Sequence, residues 1–444
     1  MRTDPVKWAR SLRRSAGGMG VRVAVACALL VLQAAVGGAQ SLARARAEDA
    51  GMSSERLERL SVAMREYVND GRLTGAVALV ARRGRVVYFE SFGLRDREAA
   101  AAPMQTDALF RIASQTKAII SVGVMLLQEE GALLISDPVG RYLPEFMETK
   151  VAVRRQEGEG YDVVEARRRI TIRDLLTHTS GIGYGNGIAD DRWAQAGIQG
   201  WYFADRTEPI AATVARMGAL PFDAQPGERW VYGYSTDILG ALIERVSGMP
   251  LDAFLRQRIL QPLGMRDTRF YPAPADRTRL ATVYSAAADG VRRAPDPGGM
   301  VGQGAYMSGP RTSFSGGAGL ISTAMDYARF LQMLLNGGEL DGVRLLSPTT
   351  VDLMTADHIG DRYGTPGAGF GLGFQITTDV GRLGRPGSVG EFGWGGAYHS
   401  TYWVDPRQEL IVVYMTQLIP AGGLDDHGRL RALVYQAIIE GVTH

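Results

Sequence analysis

The stretch 114–130 reads as a helix with almost no face left for water. Ile119, Ile120, Met125, Leu126 and Leu127 are spread around much of its circumference, and Gly131 ends it. A helix apolar on most sides has to sit at the centre of a fold, because one neighbour cannot cover it. The rest of the chain must wrap it. Strand-like runs at 76–81 and 86–92 flank Arg83-Gly84, a hairpin signal, so the sheet should be antiparallel where it starts. A helix precedes them. Ser53 or Ser54 can cap it, Glu55 favours its first turn, and Leu57, Leu60, Met64, Tyr67 and Val68 recur at helical spacing. Later, Ser322 or Thr323 caps a helix running to Leu335, which Asn336-Gly-Gly ends. Strand-like runs follow at 401–404 and 409–416, then a last helix at 429–440 with Leu430, Leu433, Val434, Ala437 and Ile438 on one face.

Between these ends the pattern loosens. Gly-rich or charged loops at 156–160, 181–187 and 286–304 separate short helical pieces, and no long alternating strand appears. This predicts an α/β (α+β) protein with an antiparallel sheet flanked by helices. Residues 51–140 and 310–444 form the sheet domain, and 141–309 form an inserted, mainly helical domain.

The first 39 residues read as an address. Arg10, Arg13, Arg14 and Arg22 precede or enter an apolar run at 23–36, and Gly37 and Ala39 give a small-x-small site before Gln40. That order is the order of a secretory signal peptide. The run is too short for a comfortable membrane span, although an uncleaved anchor is the competing reading. The expectation is an exported protein, periplasmic or secreted, of a bacterium. Its one Cys, Cys27, lies inside the signal. The mature chain would then have no thiol nucleophile, disulfide or cysteine-ligated metal. The net charge of +2 over 444 residues, without a long Lys/Arg block, points away from nucleic acid. The five His residues, at 178, 358, 399, 427 and 444, are scattered and give no zinc spacing. No metal, no cofactor and no membrane span in the mature chain are expected. The oligomeric state is left open.

Ser114-Gln-Thr-Lys117 places a hydroxyl and an amine three residues apart, on one helical face. A hydroxyl needs a neighbour to take its proton before it can attack. Free N–H groups at a helix start also favour developing negative charge. Alone, such a pair is common by chance, and Ser is a favoured helix cap.

The surrounding phrases are more specific. Phe110-Arg-Ile-Ala-Ser-Gln-Thr-Lys117 resembles the active-site segment of the serine β-lactamase and penicillin-binding-protein superfamily. Ile172-Arg-Asp-Leu-Leu-Thr-His-Thr-Ser-Gly181, Gly317-Ala-Gly-Leu-Ile-Ser-Thr-Ala-Met-Asp-Tyr-Ala-Arg-Phe-Leu331 and Phe392-Gly-Trp-Gly-Gly-Ala397 look like its class C and esterase branch, in the same order. The resemblance, closest to the class C-like carboxylesterases (family VIII esterases), covers about residues 51 to 440. It implies a catalytic Tyr beside Ser114 and Lys117. Tyr232 has the spacing to Asp237-Ile-Leu-Gly240 seen in esterase-like members, and Tyr234 is the other candidate. It also implies that Trp394-Gly395-Gly396 stands where penicillin-recognising members carry Lys-Thr-Gly, on an edge strand. The N–H groups of Ala397 and Ser114 would form the oxyanion hole. His178, in a phrase the family carries away from its catalytic groups, is expected to be structural, satisfying loop carbonyls. The aromatics Tyr184, Trp193, Trp201 and Tyr202 are either packing or an aromatic wall.

Two departures narrow the reaction. If Tyr232 is the catalytic Tyr, Tyr234 replaces an Asn that bonds substrate amides. Trp394 replaces a Lys that pairs with a lactam carboxylate. Both losses argue for an uncharged acyl substrate, so hydrolysis of small or short-chain carboxylic esters through an acyl-serine is expected. A β-lactamase or D-amino-acid amidase or peptidase is the alternative. A non-catalytic peptidoglycan-binding relative is a second. The Gly-x-Ser-x-Gly elbow of α/β-hydrolases is absent.

Overall fold

The computed structural model describes residues 42–98 and 101–441. The expected signal segment at 1–39, with Cys27, lies outside the described residues. Helix α1 (Ser54–Asn69) is capped by Ser53, whose hydroxyl accepts from the Arg56 N–H. Leu57, Leu60, Met64 and Tyr67 form its buried stripe. Strands β1 (Gly75–Arg82) and β2 (Arg85–Asp96) make the expected hairpin. Arg83 and Gly84 take φ of 51° and 70°. Both are left-handed, as a two-residue turn matched to strand twist requires. A short β3 (Ala102–Pro103) follows.

The central helix α2 (Thr116–Glu129) is buried from Thr116 to Leu127. Each fully buried Ile or Leu in it contributes roughly 1.5–3 kcal/mol. Helices α3 (Ser235–Ser247) and α4 (Ala324–Leu335) come next, and the Thr323 hydroxyl caps α4. Strands β4 (Ala368–Phe370), β5 (Gln375–Thr377), β6 (Phe392–Gly395), β7 (Thr401–Asp405) and β8 (Leu410–Thr416) complete the sheet, before helix α5 (Asp426–Tyr435). The eight strands run antiparallel in the order β4-β5-β6-β7-β8-β1-β2-β3. The sheet is thus antiparallel and flanked by helices. β1 is buried along its whole length. Its Ala76, Ala78 and Val80 pack with α1 and α5 on one face, and its Val77, Leu79 and Ala81 belong to the core that holds α2 and α4 on the other.

Two expectations need correction. β6 is not an edge strand, since β5 and β7 flank it. β5, however, pairs only with Phe392 and Gly393, while Trp394 and Gly395 pair only with β7. The rim beyond Gly393 is therefore still open where a substrate would lie. The last helix starts at Asp426 and stops at Tyr435, not Glu440. Beyond it, Ala437 O accepts from Ser53 N–H, and Gly51 O accepts from the Ile439 and Glu440 N–H groups. Binding back to the start of the chain competes with continuing the helix. Residues 141–309 also hold two small hairpins besides their helices, Lys150–Arg154 with Tyr161–Glu165 and Tyr284–Ala287 with Gly290–Arg293. Each is short and partly exposed, too little for an alternating pattern to stand out. Among the described residues no helix is long and apolar enough to cross a membrane.

Candidate active site

Ser114 lies on a single 3-10 turn, Ala113–Gln115, that leads into α2. Ala113 has φ 43°, a conformation an L-residue adopts at a cost. The surrounding structure holds it there. Phe110–Arg111 pairs with Ile321–Ser322, Tyr327 Oη donates to Gln115 O at 2.9 Å, and Leu320 N–H donates to Thr116 Oγ1 at 3.1 Å. Lys117 is one turn on and 2% exposed. Its Nζ donates to Ser114 Oγ (3.2 Å), Tyr184 Oη (3.1 Å) and Gly317 O (2.8 Å). Asp237, fully buried, accepts from Gly317 N–H and Ser315 Oγ, and Ser315 Oγ in turn accepts from Ala318 N–H, which shares its peptide with that last carbonyl.

Tyr232 places its ring centre 4.7 Å from Lys117 Nζ. Its hydroxyl accepts from Trp394 Nε1–H at 3.0 Å. Trp230 stacks on its ring at 5.4 Å, and His178 lies 4.9 Å away. Tyr184 stands edge-on to Tyr232, and their hydroxyls interact. Burial, followed by the neighbouring Tyr232 and Asp237, pushes the Tyr184 phenol well above its ordinary pKa. Ser114, Lys117, Tyr184, Tyr232 and Trp394 thus form one connected series of polar contacts.

Tyr234 does not belong to it as expected. It is fully buried, and its hydroxyl donates to Gly200 O at 2.9 Å and Tyr184 O at 3.2 Å. The backbone turns into α3 at Tyr234, its N-cap, so the ring points inward to stack on Trp193 rather than toward the cleft. Tyr234 supports Tyr184 from behind.

Trp394 faces Tyr402 across the ladder, and Gly396 N–H donates to Ser400 O at 2.8 Å. A Cβ on Gly396 would lie 2.5 Å from Ile112 O. The tip of the β6–β7 hairpin therefore rests on the backbone two residues ahead of Ser114, which only a glycine permits. Ala397 comes next. Ser114, Tyr184, Trp201, Tyr232, Trp394 and Ala397 line one cleft of about 470 Å³, to which Gly395 and Gly396 contribute backbone. Of the four loop aromatics, Tyr184 and Trp201 are on its wall, whereas Trp193 and Tyr202 are buried in packing. Tyr184 had no motif signal. It is about fifty residues before Tyr232, and only the fold joins them.

His178 is not a ligand for loop carbonyls. Its Nδ1 is buried without a partner, and the ring is wedged among Tyr232, Trp230 and Phe370. Burial, with Lys117 nearby, depresses its pKa well below the usual value.

The cleft also has a polar lining. Arg385, Glu391, His399, His427 and Arg431 supply it. His399 Nε2 and Asp426 Oδ1 lie 2.7 Å apart, Tyr414 Oη donates to Asp426 Oδ2 at 2.8 Å, and the His399 and His427 rings stack at 4.0 Å. His399, Asp426 and His427 bring ligand atoms within 4.8 Å of one another, a group able to hold a metal ion. Their separation in sequence hid it. Here their atoms serve one another: His427 Nε2–H donates to His399 O at 3.0 Å, and its N–H donates to Asp426 Oδ1.

A family model described as Beta-lactamase matches residues 60–436. An uncharacterised protein of Mycobacterium tuberculosis is 37% identical over 375 residues, covering 82% of this chain and 90% of its own. Esterase EstB of Burkholderia gladioli is 35% identical over 381 residues, covering 81% of this chain and 89% of its own. The solved structure of EstCE1, described as a hydrolase with promiscuous acyltransferase activity, superposes with a TM-score of 0.74 at 28% identity, covering 86% of this chain and 99% of that one. The chain belongs to the β-lactamase family and is a serine hydrolase.

Proposed function

We propose that this β-lactamase-family hydrolase cleaves small or short-chain carboxylic esters through an acyl-enzyme on Ser114. The observation that carries the reading is Lys117. Its Nζ is 3.2 Å from Ser114 Oγ, with the Tyr232 ring 4.7 Å from the same nitrogen, at the wall of an aromatic cleft. In the first step the Ser114 Oγ–carbonyl bond forms and the C–OR bond breaks. The serine proton passes through Lys117 and Tyr232, with Tyr184 between them, and leaves on the alcohol. Water then forms the acid, and a proton returns to Ser114. The backbone N–H groups of Ser114 and Ala397 serve the oxyanion. The likeness to EstB, whose name is esterase, supports this choice of substrate.

The test is turnover of p-nitrophenyl esters of graded chain length, beside nitrocefin and a D-alanine amide. Short esters should be fastest, and Ser114→Ala should lose both turnover and fluorophosphonate labelling. Faster turnover of the lactam or amide would replace the ester reading with a β-lactamase or amidase one. No turnover of any would favour a peptidoglycan-binding relative. A second reading, transfer of the acyl group to an alcohol instead of water, is favoured by the likeness to EstCE1. It predicts mixed esters when an alcohol is added. Export to the periplasm or medium is also part of the proposal, and fractionation of the native host with an antibody would test it.

A further inference from the structure

Beside the start of β6, a strand's length from Gly396, the cleft lining holds two guanidinium groups, Arg385 and Arg431, around one carboxylate, Glu391. Arg431 takes it. Arg431 Nη1 donates to Glu391 Oε2 at 2.7 Å, the Tyr435 hydroxyl donates to the same oxygen at 2.7 Å, and the pair is nearly buried. Arg385 only approaches the other oxygen, Nη2 to Oε1 at 3.9 Å, outside hydrogen-bond range. Its Nε is buried without a partner, while its side chain is 38% exposed. The next carboxylate, Asp405, lies behind Tyr435, with its Oδ2 2.8 Å from the Tyr435 hydroxyl oxygen. Tyr363 is the other titratable group beside Arg385. A half-buried guanidinium whose nearest anion, Glu391, stays 3.9 Å away and whose Nε has no partner is costly to keep, and its planar fork matches a carboxylate.

Arg385 is also at the end of the aromatic wall. Tyr363 packs on Trp230 at 5.1 Å, and Trp230 stacks on Tyr232, beside Lys117. Replacing the family's Lys by Trp394 removes a cation from one position of the cleft, but the loop after β5 supplies another. We propose that Arg385 is a carboxylate-binding subsite, and that the preferred substrates are esters carrying a carboxylate remote from the bond that is cleaved. The proposal rests on the esterase reading above and names its substrate class.

The test compares p-nitrophenyl half-esters of succinate, glutarate, adipate and suberate with neutral p-nitrophenyl esters of equal chain length. Wild type should favour at least one half-ester over its neutral partner in kcat/KM. Arg385→Gln should lower that anionic-to-neutral ratio at least fivefold, and Arg385→Lys should restore part of it. A change below fivefold, or no preference in wild type, overturns the proposal. Free glutarate, adipate and suberate should also raise the melting temperature of Ser114→Ala protein, and less so when Arg385→Gln is added. This second arm needs no catalysis. Loss of ester turnover with dicarboxylate protection intact would refute the esterase reading and keep the subsite, whereas ester turnover without any dicarboxylate protection would refute the subsite alone.

Discussion

Gly396→Ala tests the geometry of the site at a single atom. The added Cβ would lie 2.5 Å from Ile112 O, and real contacts begin at 3.0–3.4 Å, so something must move by about 0.5–0.9 Å. Neither side can yield without loss. Ile112 N–H is bonded to Leu320 O, and Ile112 O accepts from Gln115 N–H, so its peptide belongs to the turn that carries Ser114. On the other side, Gly396 N–H is bonded to Ser400 O, and Ala397 follows directly. The shift must therefore separate Ser114 from Ala397. A misplacement approaching 1 Å at reacting groups costs about 10²-fold in rate, and overpacking costs about 1–3 kcal/mol of stability. Gly396 is not among the glycines with positive φ, so an alanine there carries no backbone penalty that would blur the result. Initial rates on p-nitrophenyl butyrate should show kcat down about a hundredfold with a smaller change in KM, in protein that still melts cooperatively. Gly428→Ala is the control, because it lies on α5 with open space around its Cβ position. It should leave kcat unchanged and stabilise the helix by up to about 1 kcal/mol. If Gly396→Ala keeps more than a third of wild-type kcat, Ala397 and Ser114 do not act together as argued.

Tyr232→Phe should lower kcat about 10²–10⁴-fold, the range of a proton-transfer group, and Tyr184→Phe should cost less, since Lys117 keeps Ser114 and Gly317 as partners. Stopped-flow acylation rates for the two variants would show the order, and a larger loss in Tyr184→Phe would exchange their roles. Tyr234→Phe removes the donor from the buried Gly200 O and should cost about 1–3 kcal/mol in urea unfolding, with kcat and KM within threefold of wild type. A tenfold rise in KM at unchanged stability would return Tyr234 to the substrate surface. His178 is held neutral, because burial and then Lys117 depress its pKa in the fold. Its contribution is fully present above the unfolded value near 6.5 and is lost as pH falls below it, by about 1.4 kcal/mol per pH unit, since only the unfolded chain takes the proton. Urea unfolding at pH 7.5 and 5.5 should show His178→Asn less acid-sensitive by about that amount, and Asn tolerates the left-handed φ of 55° at this position. Equal acid sensitivity in the two proteins would place the loss elsewhere.

What could be read along the chain was what is local or repeated. The caps at Ser53 and Thr323, the Arg83-Gly84 turn and the apolar circumference of α2 are decided by residues a few positions apart. The motif phrases named Ser114, Lys117, Tyr232, Trp394 and Ala397, and the fold places all but the buried Lys117 on one cleft wall. Contacts made only by folding were silent. Tyr184 meets Lys117 across 67 residues, and His399 meets Asp426 across 27. The spacing Tyr-x-Tyr leaves Tyr234 a candidate beside Tyr232, because it does not say where the backbone turns into a helix and carries the Tyr234 ring inward.

The exchange of a lysine for Trp394 has a consequence that the cleft clarifies. An indole N–H gives Tyr232 Oη a hydrogen bond at 3.0 Å without giving it a charge. Lys117 is then the one cation in contact with the Ser114 hydroxyl among the described residues. A departing amide nitrogen has to be protonated as its bond breaks, whereas an alkoxide or phenoxide leaves with less help from an acid. On the proposed role of Tyr232 in moving the proton, losing a second charge beside it would handicap amides and lactams more than esters. Restoring it separates the two effects of the exchange. Trp394→Lys should raise nitrocefin turnover relative to p-nitrophenyl butyrate. If the gain is through charge at Tyr232, it will appear also with a neutral amide. If it appears only with the carboxylate-bearing lactam, the lysine acts by binding the substrate, and the proposed preference for esters would come from recognition rather than proton transfer.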